Sequence, residues 1–81
     1  MGIATDVEQF IVGEIAAGRG IDSLAYDQDL LEGEVIDSLG IVELISFLEG
    51  KYAIKVGDED LDPENFRSVD RIVAFVEGKR G

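Results

Sequence analysis

Apolar residues fall at helical spacing in three separate stretches of the chain. In the first, residues 5–17, Val7, Phe10, Ile11 and Ile15 define one face of a helix. Thr5 and Glu8 have the spacing of a capping box, which predicts the helix start. Gly18-Arg19-Gly20 ends it, because glycine takes a left-handed C-cap without steric cost. In the second, residues 38–49, Ile41, Leu44, Ile45 and Leu48 form the buried stripe. Val42 and Phe47 widen the apolar arc beyond what one stripe needs. Asp37 or Ser38 can cap this helix, and Gly50 is predicted to close it. In the third, Ser68 precedes Val69, Ile72, Val73 and Val76, with Phe75 alongside, and caps the last helix. Lys79 and Arg80 stand where they favour the negative end of its dipole.

The segments between these helices are less regular. Residues 21–36 make a long connection for so small a domain. Leu24, Tyr26, Leu30, Leu31, Val35 and Ile36 are too apolar to be solvated together, so the connection is expected to lie against the core. A short helical turn is predicted over residues 22–26. Tyr52, Ile54 and Val56 alternate with polar residues, which is a strand signal. A lone strand has no partner, so an extended loop is expected. Pro63 suits the first turn of a short helix through Phe66. The pattern predicts an all-α fold: a small four-helix bundle of three main helices and one short helix, with a long loop between the first and second. Residues 1–81 make one domain, with no internal repeat.

Composition narrows the chemistry. The chain has 81 residues, 46% hydrophobic and only 7% aromatic, enough for a modest aliphatic core. It has no cysteine and no histidine, which removes disulfides, thiolates and the usual neutral-pH base. Eighteen acids against seven bases leave a net charge of -11. Such a chain repels nucleic acid and anionic lipid and is steered toward basic protein surfaces. No apolar run reaches membrane-spanning length, so no membrane insertion is expected. The opening residues lack the basic and apolar regions of a signal peptide. A cytoplasmic monomer is expected.

Several constellations lead nowhere. Asp58, Asp60 and Asp62 resemble the start of a calcium loop, but Pro63 stands where glycine is needed and Val69 where glutamate is needed. Gly18 and Gly20 follow no strand, which argues against a dinucleotide site. A serine hydrolase needs a base that the chain lacks. Ser38 remains. An ordinary reading makes it an N-cap. Asp37 can do the same work, which would leave the Ser38 hydroxyl free at the positive end of a helix, a place that favours an attached phosphate. With no base to activate it, Ser38 reads as a substrate of another enzyme rather than a nucleophile of this one.

The stretch "DSLGIVELISFL", residues 37–48, resembles the carrier-protein family: acyl carrier proteins, peptidyl carrier domains and D-alanyl carrier proteins. The order of helices and the long first connection resemble the family along the whole chain. The resemblance implies that Ser38, within the motif Asp37-Ser38-Leu39, receives 4'-phosphopantetheine from coenzyme A through a phosphopantetheinyl transferase. The thiol of that arm would hold an acyl or aminoacyl group as a thioester, so the chain itself is not an enzyme. Partners implied are an acyl- or aminoacyl-loading ligase and a downstream transferase or synthase, in aminoacyl, nonribosomal-peptide, polyketide or specialised lipid metabolism. Leu39, Val42 and Ser46 match partner-facing positions of the family's second helix, and Glu43 and Glu49 match acidic ones.

Gly40 stands where fatty-acid carriers often have a polar residue, and Ser46 where they often have a bulky apolar one. Gly50-Lys51 interrupts an acidic run. The segments "DQDLLEGEVIDSLG" and "DEDLDPENFRSVDRI" look more like freestanding aminoacyl or D-alanyl carriers. The competing reading is a small acidic helical adaptor that binds a basic partner without a prosthetic group.

Overall fold

In the computed structural model, which describes residues 2–80, the first helical stretch begins and ends two residues earlier than its pattern predicts. Helix α1, Ile3–Phe10, runs without a break into a π-helical segment, Ile11–Ile15. Its start lies at Gly2, so Thr5 is inside the helix and the expected Thr5–Glu8 capping box is not formed. Glu8 does something else: its Oε2 accepts the Leu24 N–H at 2.8 Å, tying the long connection to α1. The π segment explains a shift in the buried face. The Ala16 N–H donates to the Ile11 carbonyl, five residues back, at 2.7 Å. The wider turn makes Val7, Ile11 and Ala16 the buried positions and leaves Ile15 half-buried. Gly18 and Gly20 then take φ of +81° and +76°, the left-handed region expected of them.

Helix α2, Ser38–Tyr52, buries Gly40, Leu44 and Leu48. It runs past Gly50, which is helical, and ends with Ala53 in a left-handed conformation at φ +53°. Helix α3, Val69–Arg80, buries Val69, Ile72 and Val76. The Ser68 Oγ accepts the Arg71 N–H at 3.2 Å, as a cap should. The core joins these faces to Phe66 and Ile54, and α1 packs along α3 while α2 lies against both the π segment and α3. Burying a leucine such as Leu44 or Leu48 completely stabilises the fold by about 1.5–3 kcal/mol. Phe47 packs on Phe10 with ring centroids 4.2 Å apart, so only Val42 of the two arc-widening residues faces solvent.

The long connection lies on the core, with Leu24, Leu30, Val35 and Ile36 buried and Tyr26 exposed. The helical turn expected over residues 22–26 is absent. The chain bends one step later instead, where the Gln28 N–H donates to the Ala25 carbonyl at 3.2 Å and the Gln28 Oε1 accepts the Ala25 N–H at 2.8 Å. Tyr52, Ile54 and Val56 form no strand, and Ile54 alone is buried. Two 3-10 turns follow, Asp58–Asp60 and Pro63–Phe66. The second is the expected short helix, capped by Asp62, whose Oδ1 accepts the Glu64 N–H at 3.0 Å. Asp60 accepts the Gly57 N–H and pairs with Lys79. Of the acids that resemble a calcium loop, Asp60 and Asp62 therefore serve as turn caps, Asp60 also as an ion-pair partner, and Asp58 is exposed.

Candidate functional site

The N-terminus of α2 decides between the two possible caps. Asp37 is extended, at φ -109° and ψ -171°, and its Oδ1 accepts the Gly40 N–H at 2.8 Å. A carboxylate cap of this kind contributes about 1 kcal/mol. Ser38 is the first helical residue, exposed, and its hydroxyl has no part in that cap. The hydroxyl therefore stands at the positive end of a fifteen-residue helix, free to bear a substituent.

Gly40 has a packing reason. It is buried, and a Cβ there would lie 3.0 Å from the Ile15 Cγ2 and 3.3 Å from the Ile36 Cγ2. Close approach of α2 to the π segment and to the end of the long connection therefore accounts for the residue that departs from the fatty-acid pattern.

Beside Ser38 opens a groove of about 590 Å³. Leu31, Ile36, Ile41 and Pro63 give it apolar walls, and Arg19, Glu34, Asp37 and Ser38 supply the polar groups. The long connection is thus one wall of the site. It is held in place by groups that periodicity does not reveal. The Leu30 N–H donates to the Arg67 carbonyl at 2.7 Å, and the Leu30 carbonyl accepts from Val35 at 2.9 Å and Ile36 at 3.2 Å. Arg67 also bridges Asp29 at 2.6 Å and Glu64 at 2.7 Å. The Glu32 N–H, and then the Arg67 guanidinium, hold the Asp29 carboxyl below the ordinary carboxylate range. Arg19 donates from Nη2 to the Glu34 carbonyl at 2.7 Å and from Nη1 to the Val35 carbonyl at 3.2 Å. Glu34 there takes a left-handed φ of +58°.

Ser38 and Asp37, which the sequence singles out, line this groove together with Arg19 and Glu34, which it does not. The only signal for Arg19 is a lone cation between two glycines in an acidic chain.

Leu39, Val42, Glu43 and Ser46 share one exposed side of α2, beginning next to Ser38. Leu39 is 67% exposed and Val42 62%, large values for apolar residues on a packed helix. Glu49 differs. It is half-buried, and its Oε2 accepts the Val56 N–H at 2.9 Å, so it holds the start of the second connection. Among the described residues, no group of three acids stands together as a metal site, and no helix is long and apolar enough to cross a membrane.

The site fits the group that the family resemblance implies. A free hydroxyl at a helix N-terminus suits a phosphodiester, and an adjoining groove with apolar walls and polar edges suits a pantetheine arm.

Comparison with known proteins points the same way. No family model matches the sequence. The chain is 44% identical over 50 residues to a D-alanyl carrier protein of Streptococcus uberis, in an alignment covering 62% of this chain and 63% of that protein. It is 43% identical over 51 residues to a D-alanyl carrier protein of Streptococcus pyogenes serotype M5, covering 63% of this chain and 65% of that one. These matches span slightly less than two thirds of the relatives' length. Over a longer span, the chain is similar to the solved structure of KstB-PCP in its apo form, a peptidyl carrier protein. The two share 38% identity at a TM-score of 0.72, over 93% of this chain and 82% of that one.

Proposed function

Because this chain belongs to the carrier-protein family, we propose that it carries an acyl or aminoacyl group as a thioester on a 4'-phosphopantetheine arm attached to Ser38. The observation that carries this reading is the division of labour at the start of α2. Asp37 caps the helix, and the exposed Ser38 hydroxyl is left for modification.

Attachment needs a separate transferase. The Ser38 Oγ attacks the phosphorus of coenzyme A that bears the pantetheine. A Ser38 O–P bond forms, the pyrophosphate P–O bond breaks, adenosine 3',5'-bisphosphate leaves, and the serine proton passes to the transferase. The chain contributes position, because Asp37 fixes the first turn that presents Ser38, and the free N–H groups of that turn favour the phosphodiester charge. The attached arm supplies the thiol that a chain without cysteine lacks. Nothing in the reading requires this chain to be an enzyme.

Partners then dock beside Ser38. The exposed side of α2 combines apolar Leu39 and Val42 with Glu43 and Ser46, which suits an apolar patch rimmed by basic groups on a loading ligase or a downstream transferase. The likeness to D-alanyl and peptidyl carriers favours an aminoacyl cargo. A cytoplasmic monomer is part of the same proposal.

Intact-mass measurement after incubation with coenzyme A and a broad-range transferase tests it. One mass increment on the folded chain, absent in Ser38→Ala, is expected. No increment on the folded wild type, or an equal one in Ser38→Ala, overturns it.

A further inference from the structure

The groove beside Ser38 holds one cation. Its other polar groups are Glu34, Asp37 and Ser38 itself, in a chain of net charge -11. We propose that Arg19 is the phosphate-binding residue of this site, pairing with the phosphodiester on Ser38 and holding the first part of the arm against the groove. This rests on the reading of Ser38 as the attachment point.

The argument begins with charge. A phosphodiester on Ser38 places a permanent anion beside the Asp37 carboxylate, which is committed to its cap. The helix N-terminus offsets part of that repulsion. A guanidinium in the same groove offsets more, and its flat fork suits phosphate oxygens better than an ammonium does.

Placement supports the role. Arg19 is carried on the turn after the π segment, between Gly18 and Gly20, both at positive φ. Its Nη2 and Nη1 each give a hydrogen to the carbonyls of Glu34 and Val35. Those residues lie in the short run that leads into Ser38. A guanidinium has five N–H groups, so two such bonds anchor it and leave donors for an anion. Arg19 is also exposed, and an incoming phosphodiester meets it without unfolding the connection.

A purely structural Arg19, one that only ties the connection down, makes a different prediction. It would stabilise the protein equally with and without the arm. The test is therefore a cycle of four melting temperatures: wild type and Arg19→Gln, each unmodified and modified. Modification is expected to raise the wild-type Tm by roughly 2–4 °C relative to its effect on Arg19→Gln. The increment should shrink as salt is added. Arg19→Lys keeps the charge without the fork and should retain part of it. The phosphorus NMR resonance of the modified protein should move between wild type and both variants.

Equal Tm losses in the modified and unmodified forms, with an unmoved phosphorus resonance, overturn the proposal while leaving attachment at Ser38 intact. If Arg19→Gln does not fold, Arg19→Lys decides: a reduced increment supports the role and an unchanged one overturns it. A wild type that gains no mass overturns the attachment reading itself, and this proposal with it.

Discussion

The two irregular connections of this molecule are held in different ways. Residues 21–37 form local turns of their own around Gln28, Asp29 and Leu30, and are fastened besides by partners far away in the sequence. Glu8 holds Leu24, the Tyr26 carbonyl accepts the Asp70 N–H at 2.9 Å, Arg67 holds Leu30 and Asp29, and Arg19 holds Glu34 and Val35. Residues 53–68 are fastened mostly by near neighbours, with Lys79 on Asp60 and Arg67 on the first connection as their longer ties. Asp60 accepts from Gly57, Asp62 from Glu64 and Glu49 from Val56, and the Asn65 Nδ2 donates to the Asp60 carbonyl at 3.0 Å. The first is a wall of the groove and must be placed against two helices at once. The second contributes only Pro63 to that groove and can settle by local turn chemistry. Long-range ties go where the site needs position.

The largest expected effect comes from removing the first connection's core anchor. Leu30 is completely buried, whereas Leu61 in the second connection is 51% exposed. Leu30→Ala should cost about 2–5 kcal/mol in urea unfolding. Leu61→Ala should stay within about 0.5 kcal/mol. Equal losses would mean that both connections are anchored alike, and the contrast would fail.

A smaller effect separates the two ends of α2, where the connections join it. Gly40 meets Ile15 and Ile36, while a Cβ at Gly50 would have nothing within 4 Å. Gly40→Ala gains helix propensity of up to about 1 kcal/mol. Overpacking against branched side chains costs about 1–3 kcal/mol, so the net effect should be destabilising. Gly50→Ala should stabilise by about 0.4–1 kcal/mol, chiefly through the unfolded chain. A stabilising Gly40→Ala, read from the same unfolding curves, would show that the π segment yields easily.

How legible all this was from residues alone follows the same division. Leu44 and Leu48 of α2, Val69, Ile72 and Val76 of α3, the burial of the first connection and the free hydroxyl of Ser38 follow from spacing and capping rules, because those are local. Ile41, Ile45 and Val73 of the expected stripes, by contrast, are only half-buried. Thr5 and Glu8 mislead for a physical reason: the capping-box spacing is correct, but the helix extends back to Ile3 and Glu8 is used by Leu24. The π segment leaves no mark on a pattern read at ordinary helical period, so Ile15 looks buried and Ala16 does not. Gly50 looks like a stop, yet α2 continues until Ala53 adopts the left-handed turn. Arg19 and Arg67 escape notice because their partners are backbone carbonyls and acids that only the folded chain brings near.

The smallest effects lie in the acid range, and there the two connections should differ in cause rather than in direction. The carboxyls of Asp29 and Asp60 both lie below their ordinary 3.8. A depressed carboxyl contributes stability above its unfolded pKa and loses it as pH falls toward the folded one. Both contributions are therefore present at neutral pH and fade below about pH 4. Asp29 owes its depression first to the Glu32 N–H and only then to Arg67. Asp60 owes its own first to Lys79 and then to the Gly57 N–H. Carboxyl-carbon NMR titrations should therefore show Arg67→Ala moving Asp29 only part of the way back, and Lys79→Ala moving Asp60 further. The reverse order would make Arg67 the main support of the Asp29 turn. The first connection would then depend on that one ion pair, instead of on a backbone turn to which the ion pair is added.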